Sequence, residues 1–267
     1  MSASPQFRYL CTEVRDGVAV ITYARPEVAN AINVDVMKEL VAAYTWAIAN
    51  DKVKVIVQTG LGDFFTTGIV FLVAALPVFA LFDSSSFNKM LIDCEKVTIA
   101  AVNGPGAGYG ASSLALFDLV YAVPNAYFFT PFVKWGLSAE ACSSFTFTHC
   151  LGRQKAAHLI LAGERMTAQE LESAGMISKI LPKNKFLDSV LRIAQKVAQL
   201  PPISLKANKS LMTGYFKQEL HQANDLEKEL FETLITGSET TNAVTRFKEE
   251  QRARKQALAG RASPSKL

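Results

Sequence analysis

The sequence predicts an α/β fold that continues into a helical C-terminal region. Short β-rich runs at residues 17–23, 53–59 and 97–102 are separated by a helical stretch and by turns that contain glycine. Strands that alternate with helices along a chain are typical of α/β layers. After residue 202 the composition becomes helical and charged. A chain of 267 residues, 49% apolar and 19% charged, is long enough to bury a large core as one large domain with a helical appendage.

The first unit of the chain joins a strand, a helix and a second strand. The β-rich run at 17–23 comes first, and residues 34–49 then carry apolar side chains at helical spacing. Asn33 is placed to cap this helix. The second strand, at 53–59, follows at once and ends at Gly60.

A turn with four glycines in seven residues, at 104–110, follows the strand at 97–102. It lacks the Gly-Lys-Ser/Thr ending of a P-loop, and residues 119–139 contain no acid of the kind that a dinucleotide-binding fold requires. Another glycine turn lies at Gly68. Turns that begin helices expose backbone N–H groups, and two of them can direct two donors at one oxygen, as in an oxyanion hole. Glycine after a strand is also common in ordinary tight turns, so both interpretations are open for Gly68.

Glu140 is the first acidic residue after Asp118, and it follows an apolar stretch with Phe132 and Trp135. Apolar surroundings raise the pKa of a carboxyl group and so make the carboxylate a stronger base. The alternative interpretation is an acid at a helix N-terminus, stabilised by the helix dipole. The residues alone leave both interpretations open.

Later segments predict further helices and one more strand. Residues 152–161 open an apolar helix, and the segment from Thr167 has the form of a capping box. The helix that it begins closes at Gly175, before a strand at 176–181. Four leucines of the C-terminal part are spaced for packing, which predicts helices suited to subunit contacts: Leu220, Leu226, Leu230 and Leu234.

The charge pattern argues against a nucleic-acid partner, and the length of the apolar runs argues against a membrane span. The formal net charge is +4, from 28 basic and 24 acidic residues, and part of the excess lies near the C-terminus. Nucleic-acid-binding proteins more often show a basic stripe interleaved with aromatic residues. The longest apolar run, 69–82, has 14 residues and contains Pro77, whereas a membrane span needs about 20. We therefore expect neither a nucleic-acid partner nor a membrane span.

Cysteine spacing and the chain ends predict the compartment. Four widely spaced cysteines form no Cys-x-x-Cys pair, which is typical of reduced, mostly buried thiols in an intracellular protein and predicts no metal site. The first ten residues lack the apolar core of a secretory signal. The chain ends in Ser265, Lys266 and Leu267, the tripeptide read as a peroxisomal address, so we expect a location in the peroxisome matrix.

Five segments together resemble the crotonase (enoyl-CoA hydratase/isomerase) superfamily in order and spacing. They are RPEVANAIN, FFTTGIVF, VNGPGAGYGASSLALFDLVYA, TPFVKWGLSAEACSS and MTAQELESAGMISKIL. The resemblance covers residues 9–182 and continues more loosely through the C-terminal helices. Within the superfamily, the chain is most similar to the peroxisomal Δ3,Δ2-enoyl-CoA isomerases.

The resemblance implies a site built from two backbone amides and one acid. It places the oxyanion donors at Ile69 and Tyr109 and the single catalytic base at Glu140. Hydratases of the superfamily have two glutamates at positions that are occupied here by Ser112 and Phe132, so the resemblance disfavours hydration. It also implies that the CoA part of the substrate lies against Ala31, Thr67, Gly68, Val70 and Phe71.

One turn departs from the superfamily pattern. Its usual Ala-Asp is replaced by Ile69-Val70, and the stretch that follows is strongly apolar as far as residue 82. This stretch could shape the acyl pocket or bury against a neighbouring subunit. It could also indicate that the pocket has been lost.

The resemblance also implies an architecture and a reaction. A spiral of strand-strand-helix turns is expected over residues 1–200, a helical oligomerisation region over 201–258 and a flexible tail over 259–267, assembled as a trimer or a dimer of trimers. The expected activity is a Δ3,Δ2-enoyl-CoA isomerase that needs neither a metal nor a redox cofactor, with an acyl-CoA thioester as substrate and the peroxisomal import receptor as a partner. The alternatives are a non-catalytic acyl-CoA-binding protein of the same fold and an enoyl-CoA hydratase.

Overall fold

The computed structural model describes residues 4–69 and 84–261. Two residues predicted to contact CoA, Val70 and Phe71, lie outside the described residues. The C-terminal tripeptide Ser265, Lys266 and Leu267 lies outside them as well.

Two sheets and a series of helices make up the described chain. The strands are β1 (Leu10–Arg15), β2 (Val18–Tyr23), β3 (Val55–Gly60), β4 (Val97–Val102), β5 (Gly106–Ala107), β6 (Leu119–Ala122), β7 (Tyr127–Phe129), β8 (Met166–Thr167) and β9 (Lys179–Ile180). The helices are α1 (Val34–Ala49), α2 (Ser84–Asp93), α3 (Tyr109–Ser112), α4 (Ser143–Leu151), α5 (Arg153–Ile160), α6 (Ala168–Ser173), α7 (Phe186–Ala198), α8 (Pro202–Gly214), α9 (Lys217–Ile235) and α10 (Ser238–Arg261). Short 3₁₀ helices lie at Pro26–Val28, Ser113–Leu116 and Val133–Trp135.

The larger sheet has six strands in the order β1-β2-β3-β4-β6-β9. β1 is antiparallel to β2, and the other neighbours are parallel. The smaller sheet joins β5, β7 and β8. β3 and β4 are buried along nearly their whole length, because helices cover both faces of a parallel sheet. The predicted α/β fold with a helical C-terminal region is confirmed.

Helix α1 forms as its sequence predicts. The Oδ1 atom of Asn33 accepts a hydrogen bond from the amide of Val36 at 2.9 Å, which satisfies one of the amides that a helix start leaves without a partner. The face that packs on the core consists of Val36, Met37, Leu40, Ala43, Tyr44 and Ala47. The capping box at the start of α6 is also present, between Thr167 and Glu170.

The C-terminal helices leave part of their predicted packing face exposed in this single chain, so the expected subunit contacts stay a prediction. On α9 the buried residues are Ala223, Asn224, Glu227 and Ile235. Two of the leucines predicted to pack, Leu226 and Leu230, are 57% and 51% exposed in this single chain. Helix α10 runs to Arg261, three residues into the segment expected to be a flexible tail.

All four cysteines are free, and only two of them are buried. Cys94 and Cys142 are buried, whereas Cys11 and Cys150 are exposed, so the expectation of mostly buried thiols was wrong for half of them. Within residues 4–69 and 84–261, no helix combines the length and the apolar character that crossing a membrane requires. The same residues contain no group of three or more His, Cys, Asp or Glu side chains that could hold a metal ion.

Candidate active site

Three turns of the chain lie side by side at the predicted site. Ile32 forms a parallel bridge with Ile69, and Thr66 forms one with Gly106. The amide of Ile32 donates to the carbonyl of Gly68 at 2.9 Å, and the amide of Ala107 donates to the carbonyl of Thr66 at 3.0 Å. These bonds place the turn at 66–69 between the turn that follows β2 and the glycine turn that follows β4.

The side chain of Thr66 stabilises the turn at 66–69 by hydrogen bonds. Its side chain is fully buried, and its Oγ1 atom donates to the carbonyl of Asn30 at 2.6 Å. The same oxygen accepts a hydrogen bond from the amide of Gly68 at 3.0 Å. Because the hydroxyl occupies the Gly68 amide, the next amide along the chain, that of Ile69, is the one left for another acceptor.

Gly68 has no room for a side chain. Its φ of 78° lies in the left-handed region that favours glycine. A Cβ atom there would overlap the carbonyl oxygen of Ala107 and lie 2.9 Å from the amide nitrogen of Tyr109. The backbone just before Ile69 is therefore packed against the amide of Tyr109, so the two predicted donors belong to neighbouring turns.

The amides of Ile69 and Tyr109 donate to no acceptor among the described residues. Tyr109 is the first residue of α3, where a helix leaves amides without partners inside the helix. The preceding residue, Gly108, has φ 51° and ψ −122°, a conformation close to glycine-only backbone regions, and this conformation begins the helix at Tyr109. Within the described chain, neither backbone amide is occupied by an acceptor.

Glu140 lies next to this turn. Its Oε1 atom is 4.0 Å from the position that a Cβ atom on Gly108 would occupy. The residue is only 8% exposed, and Oε1 is buried without a hydrogen-bond partner among the described residues. A buried carboxylate oxygen without a partner is costly, and such groups in native structures call for an explanation. An oxygen that takes up a proton from a substrate is one explanation for this missing partner.

The surroundings of Glu140 favour its protonated form. Burial disfavours the charged carboxylate, and the negative charge of Glu227 adds to this effect, so that the pKa of Glu140 is raised to about 8. A carboxyl group with a pKa near neutrality is well matched to taking up a proton and giving it back.

The side chain of Glu140 does not accept hydrogen bonds from the helix that follows it. The helix that follows, α4, begins at Ser143, and the acid that accepts hydrogen bonds from its first amides is Glu227 of α9. Glu227 Oε2 accepts from the amide of Cys142 at 2.7 Å, and Oε1 accepts from the amide of Ser144 at 2.8 Å. The side chain of Glu140 is therefore not the cap of this helix.

A family model described as enoyl-CoA hydratase/isomerase matches residues 13–256 of the chain. The chain belongs to the enoyl-CoA hydratase/isomerase family. Enoyl-CoA delta isomerase 2 of Rattus norvegicus is 33% identical over 239 residues, which cover 86% of this chain and 61% of the relative. Testis-specific chromodomain protein Y 1 of Homo sapiens is 30% identical over 257 residues, which cover 92% of this chain and 47% of the relative. The chain thus spans about half to three-fifths of the length of these relatives.

A solved structure agrees with the family assignment. The crystal structure of an enoyl-CoA hydratase/isomerase from Pseudoalteromonas atlantica T6c superimposes with a TM-score of 0.83 at 30% identity, covering 91% of this chain and 98% of that one. The resemblance to the crotonase superfamily and its isomerases, first seen in the five sequence segments, is confirmed.

The two positions at which hydratases of this family were expected to carry glutamates are buried here. Ser112 at the end of α3 is fully buried, and its Oγ atom has no partner among the described residues. Phe132 is 3% exposed. Among these positions and Glu140, only Glu140 supplies a carboxylate.

Three of the residues predicted to contact CoA, Ala31, Thr67 and Gly68, lie in or next to the turns described above. Ala31 is at the border of burial, at 9% exposed, and precedes the bridge between Ile32 and Ile69. Thr67 is exposed, and its amide donates to the carbonyl of Ala29 at 3.1 Å. The two remaining residues of this set lie outside the described chain, so its contact with CoA stays a prediction.

Residues around Glu140 that the sequence did not indicate come from α2 and α9. Asn88 accepts a hydrogen bond from the hydroxyl of Tyr109 at 2.6 Å, and Asn224 accepts one from the Nδ2 atom of Asn88 at 2.9 Å. Asn224 and Glu227 lie three residues apart on one face of α9. That spacing is a signal for a shared polar face, but only the docking of α9 shows that the face is buried.

Proposed function

We propose that the protein is a Δ3,Δ2-enoyl-CoA isomerase that shifts the double bond of a 3-enoyl-CoA to give trans-2-enoyl-CoA. The observation that carries this proposal is the single buried carboxylate of Glu140 beside the Tyr109 turn, with an oxygen that has no partner in the described chain. Membership of the enoyl-CoA hydratase/isomerase family supports an acyl-CoA thioester as the substrate.

One base is sufficient for this reaction. The carboxylate of Glu140 removes a proton from C2 of the acyl thioester, and the electron pair moves into a dienolate whose negative charge lies on the thioester oxygen. The amides of Ile69 and Tyr109 would bind that oxygen as backbone donors. Glu140 then returns the proton to C4, so the substrate loses and regains one proton and only the double bond has moved. Hydration would require further groups to place and activate a water molecule, and Ser112 and Phe132 supply no carboxylate for this task.

The rate should depend on the ionisation of Glu140. The base must be ionised, and its pKa is raised to about 8, so kcat/KM is expected to rise with pH and to level off above that value. A profile of isomerase kcat/KM from pH 6 to 10 measures the midpoint. A kcat/KM that stays constant over this range, as expected for a glutamate with the ordinary pKa of about 4.3, would contradict this account of the site.

The assignment is tested with purified protein and trans-3-enoyl-CoA, by following the absorbance of the conjugated 2-enoyl-CoA product. Water addition to trans-2-enoyl-CoA, measured in the same preparation, is expected to be at least about 10²-fold slower, since a positioned acid or base contributes about that much or more and the hydratase positions have none. Hydration as fast as isomerisation would favour the hydratase alternative.

A non-catalytic acyl-CoA-binding protein is the second candidate. It is favoured by the similarity to a relative named for a chromodomain rather than for a reaction. The departure at Ile69 also fits this candidate. Tight binding of CoA thioesters, measured by calorimetry, together with no turnover of any 3-enoyl-CoA would support it.

Assembly and location complete the proposal. The superfamily resemblance supports a trimer or a dimer of trimers. Exposed apolar side chains on α8, on α9 and between them support subunit contacts: Ile203, Leu211, Met212, Tyr215, Leu226 and Leu230. The tripeptide at 265–267 supports import into the peroxisome matrix by the receptor that reads such signals. The single-base reaction uses CoA as part of the substrate and no separate cofactor.

A further inference from the structure

The backbone just after Glu140 has an unusual conformation. Ala141 and Cys142 both have positive φ values, 56° and 59°, although neither is glycine. Two successive non-glycine residues in this region are strained, and such conformations persist only where surrounding contacts hold them. The contact that holds this turn must therefore influence where the carboxylate of Glu140 lies.

Glu227 supplies that contact from a distant part of the chain. It is 7% exposed, and its two carboxylate oxygens accept hydrogen bonds from the amides of Cys142 and Ser144, at 2.7 and 2.8 Å. Between these two amides, the amide and hydroxyl of Ser143 donate to the carbonyl of Glu140 at 3.1 and 2.7 Å. The turn is thus held on one side by Glu227 and on the other by the backbone of Glu140 itself.

We propose that Glu227 is a positioning residue for Glu140: it holds the left-handed turn at 141–142 and thereby directs the Glu140 carboxylate at the Tyr109 turn. This inference rests on the proposed role of Glu140 as the base. Glu227 itself touches no substrate in this account, since both of its oxygens are occupied by backbone amides.

The charge of Glu227 has a second effect. After burial, its negative charge is the cause that raises the pKa of Glu140, and the pKa of Glu227 is itself raised, mainly by burial. Two other ionisable groups interact with this pair, Tyr109 of α3 with Glu140 and Cys142 of the turn with Glu227. Farther along α9, Asp225 interacts with Cys142 and pairs with Lys89 of α2 at 2.8 Å, and His221 interacts with Asp225 and contacts Asp93 of α2.

The same face of α9 also supports the other half of the site. Asn224 lies one helical turn before Glu227 and is linked through Asn88 to the hydroxyl of Tyr109. Asn224 also donates to the hydroxyl of Ser85 at 2.7 Å. One buried face of α9 therefore bonds the turn after Glu140 directly and reaches the side chain of Tyr109 through Asn88.

Two substitutions distinguish the effect of the Glu227 charge from the effect of its hydrogen bonds to two amides. Glu227→Gln removes the charge and one of the two acceptors, so kcat is expected to fall about 10- to 100-fold, as for a lost hydrogen bond to a charged group. Without the repulsion, the midpoint of the pH profile should move down by at least about 0.5 unit. Glu227→Asp keeps the charge but is too short to reach both amides, so kcat should fall while the midpoint stays in place. KM should change less than about twofold in both variants, since Glu227 makes no substrate contact.

Glu232→Gln is the matched control, because it removes an exposed glutamate from the same helix, and both kcat and the midpoint should match the wild type.

A direct readout that needs no turnover is the ¹³C NMR titration of the Glu140 carboxyl carbon, assigned by its loss in Glu140→Gln. The inference would be overturned if folded Glu227 variants matched Glu232→Gln in kcat, in the pH profile and in the Glu140 titration midpoint. The proposed function would stand in that case, provided that the wild type is an active isomerase. A wild type without isomerase activity would overturn the proposed function, and the titration midpoint in Glu227→Gln would then decide the inference alone. If Glu227→Gln does not fold, the kcat of Glu227→Asp decides it.

Discussion

Isomerase activity is expected to fall by about 10²- to 10⁴-fold in Glu140→Gln, the range that a positioned general base contributes. The amide keeps the size of the side chain but cannot take a proton from C2. KM for the acyl-CoA should change little, because the predicted CoA contacts lie in other turns. The measurement is the formation of 2-enoyl-CoA from trans-3-enoyl-CoA at pH 9, where Glu140 of the wild type is ionised.

The same variant is expected to be more stable than the wild type at high pH. The folded-state pKa of Glu140, about 8, is above the unfolded value of about 4.3, so the folded protein binds more protons in this window and its stability falls as pH rises from about 4.3 to 8. Glu140→Gln removes this loss and should raise the free energy of unfolding by about 5 kcal/mol at pH 9, since a pKa difference of one corresponds to about 1.36 kcal/mol, and by little at pH 4. Denaturant unfolding at the two pH values measures the difference.

Glu164→Gln serves as the control for both effects, because Glu164 is exposed and its substitution also removes one negative charge. It should match the wild type in rate and in stability. A Glu140→Gln protein that keeps the wild-type rate would show that another group is the base, and one that is less stable than wild type at pH 9 would contradict the burial of an unpaired carboxylate.

Gly68→Ala is expected to lower kcat by about 10²- to 10³-fold, the effect of losing one oxyanion donor. The added Cβ would overlap the carbonyl of Ala107 and crowd the amide of Tyr109, so the two turns that carry the donors would move apart. A left-handed alanine is also destabilising by about 1 to 2 kcal/mol. Steady-state kinetics of the folded variant, with 3-enoyl-CoA as substrate, measures the catalytic part.

The control variant Gly175→Ala separates the loss of stability caused by a left-handed alanine from the loss of activity caused by crowding the amide of Tyr109. Gly175 has a φ of 91°, but a Cβ atom there would have no atom within 4 Å among the described residues. This control should therefore lose stability without losing activity. Equal kcat values in the two folded variants would show that the approach of Gly68 to Tyr109 has no part in catalysis.

Local patterns predicted several elements well. Helix α1 and strand β4 have the predicted bounds, and Asn33 and Thr167 cap their helices as expected. These features depend on side chains within one turn or strand, so the information lies in neighbouring residues. Helices α2 and α4 were not predicted. The segment of α4, SSFTFTHCL, is rich in residues with modest helix propensity, and its first amides depend on a side chain from α9.

The chain by itself determined that a lone acid, Glu140, follows two glycine turns and that the hydratase positions hold Ser112 and Phe132. Those facts depend only on residue identity and order, and the superfamily resemblance turned them into an expected chemistry. Tertiary structure alone decided that Glu140 is buried near Gly108, with an oxygen that has no partner among the described residues, and that Glu227 bonds the amides of the turn behind it. The physical reason is that burial and hydrogen bonding between residues far apart in sequence arise only when α9 docks, and no local pattern records which face of a polar helix is turned inward.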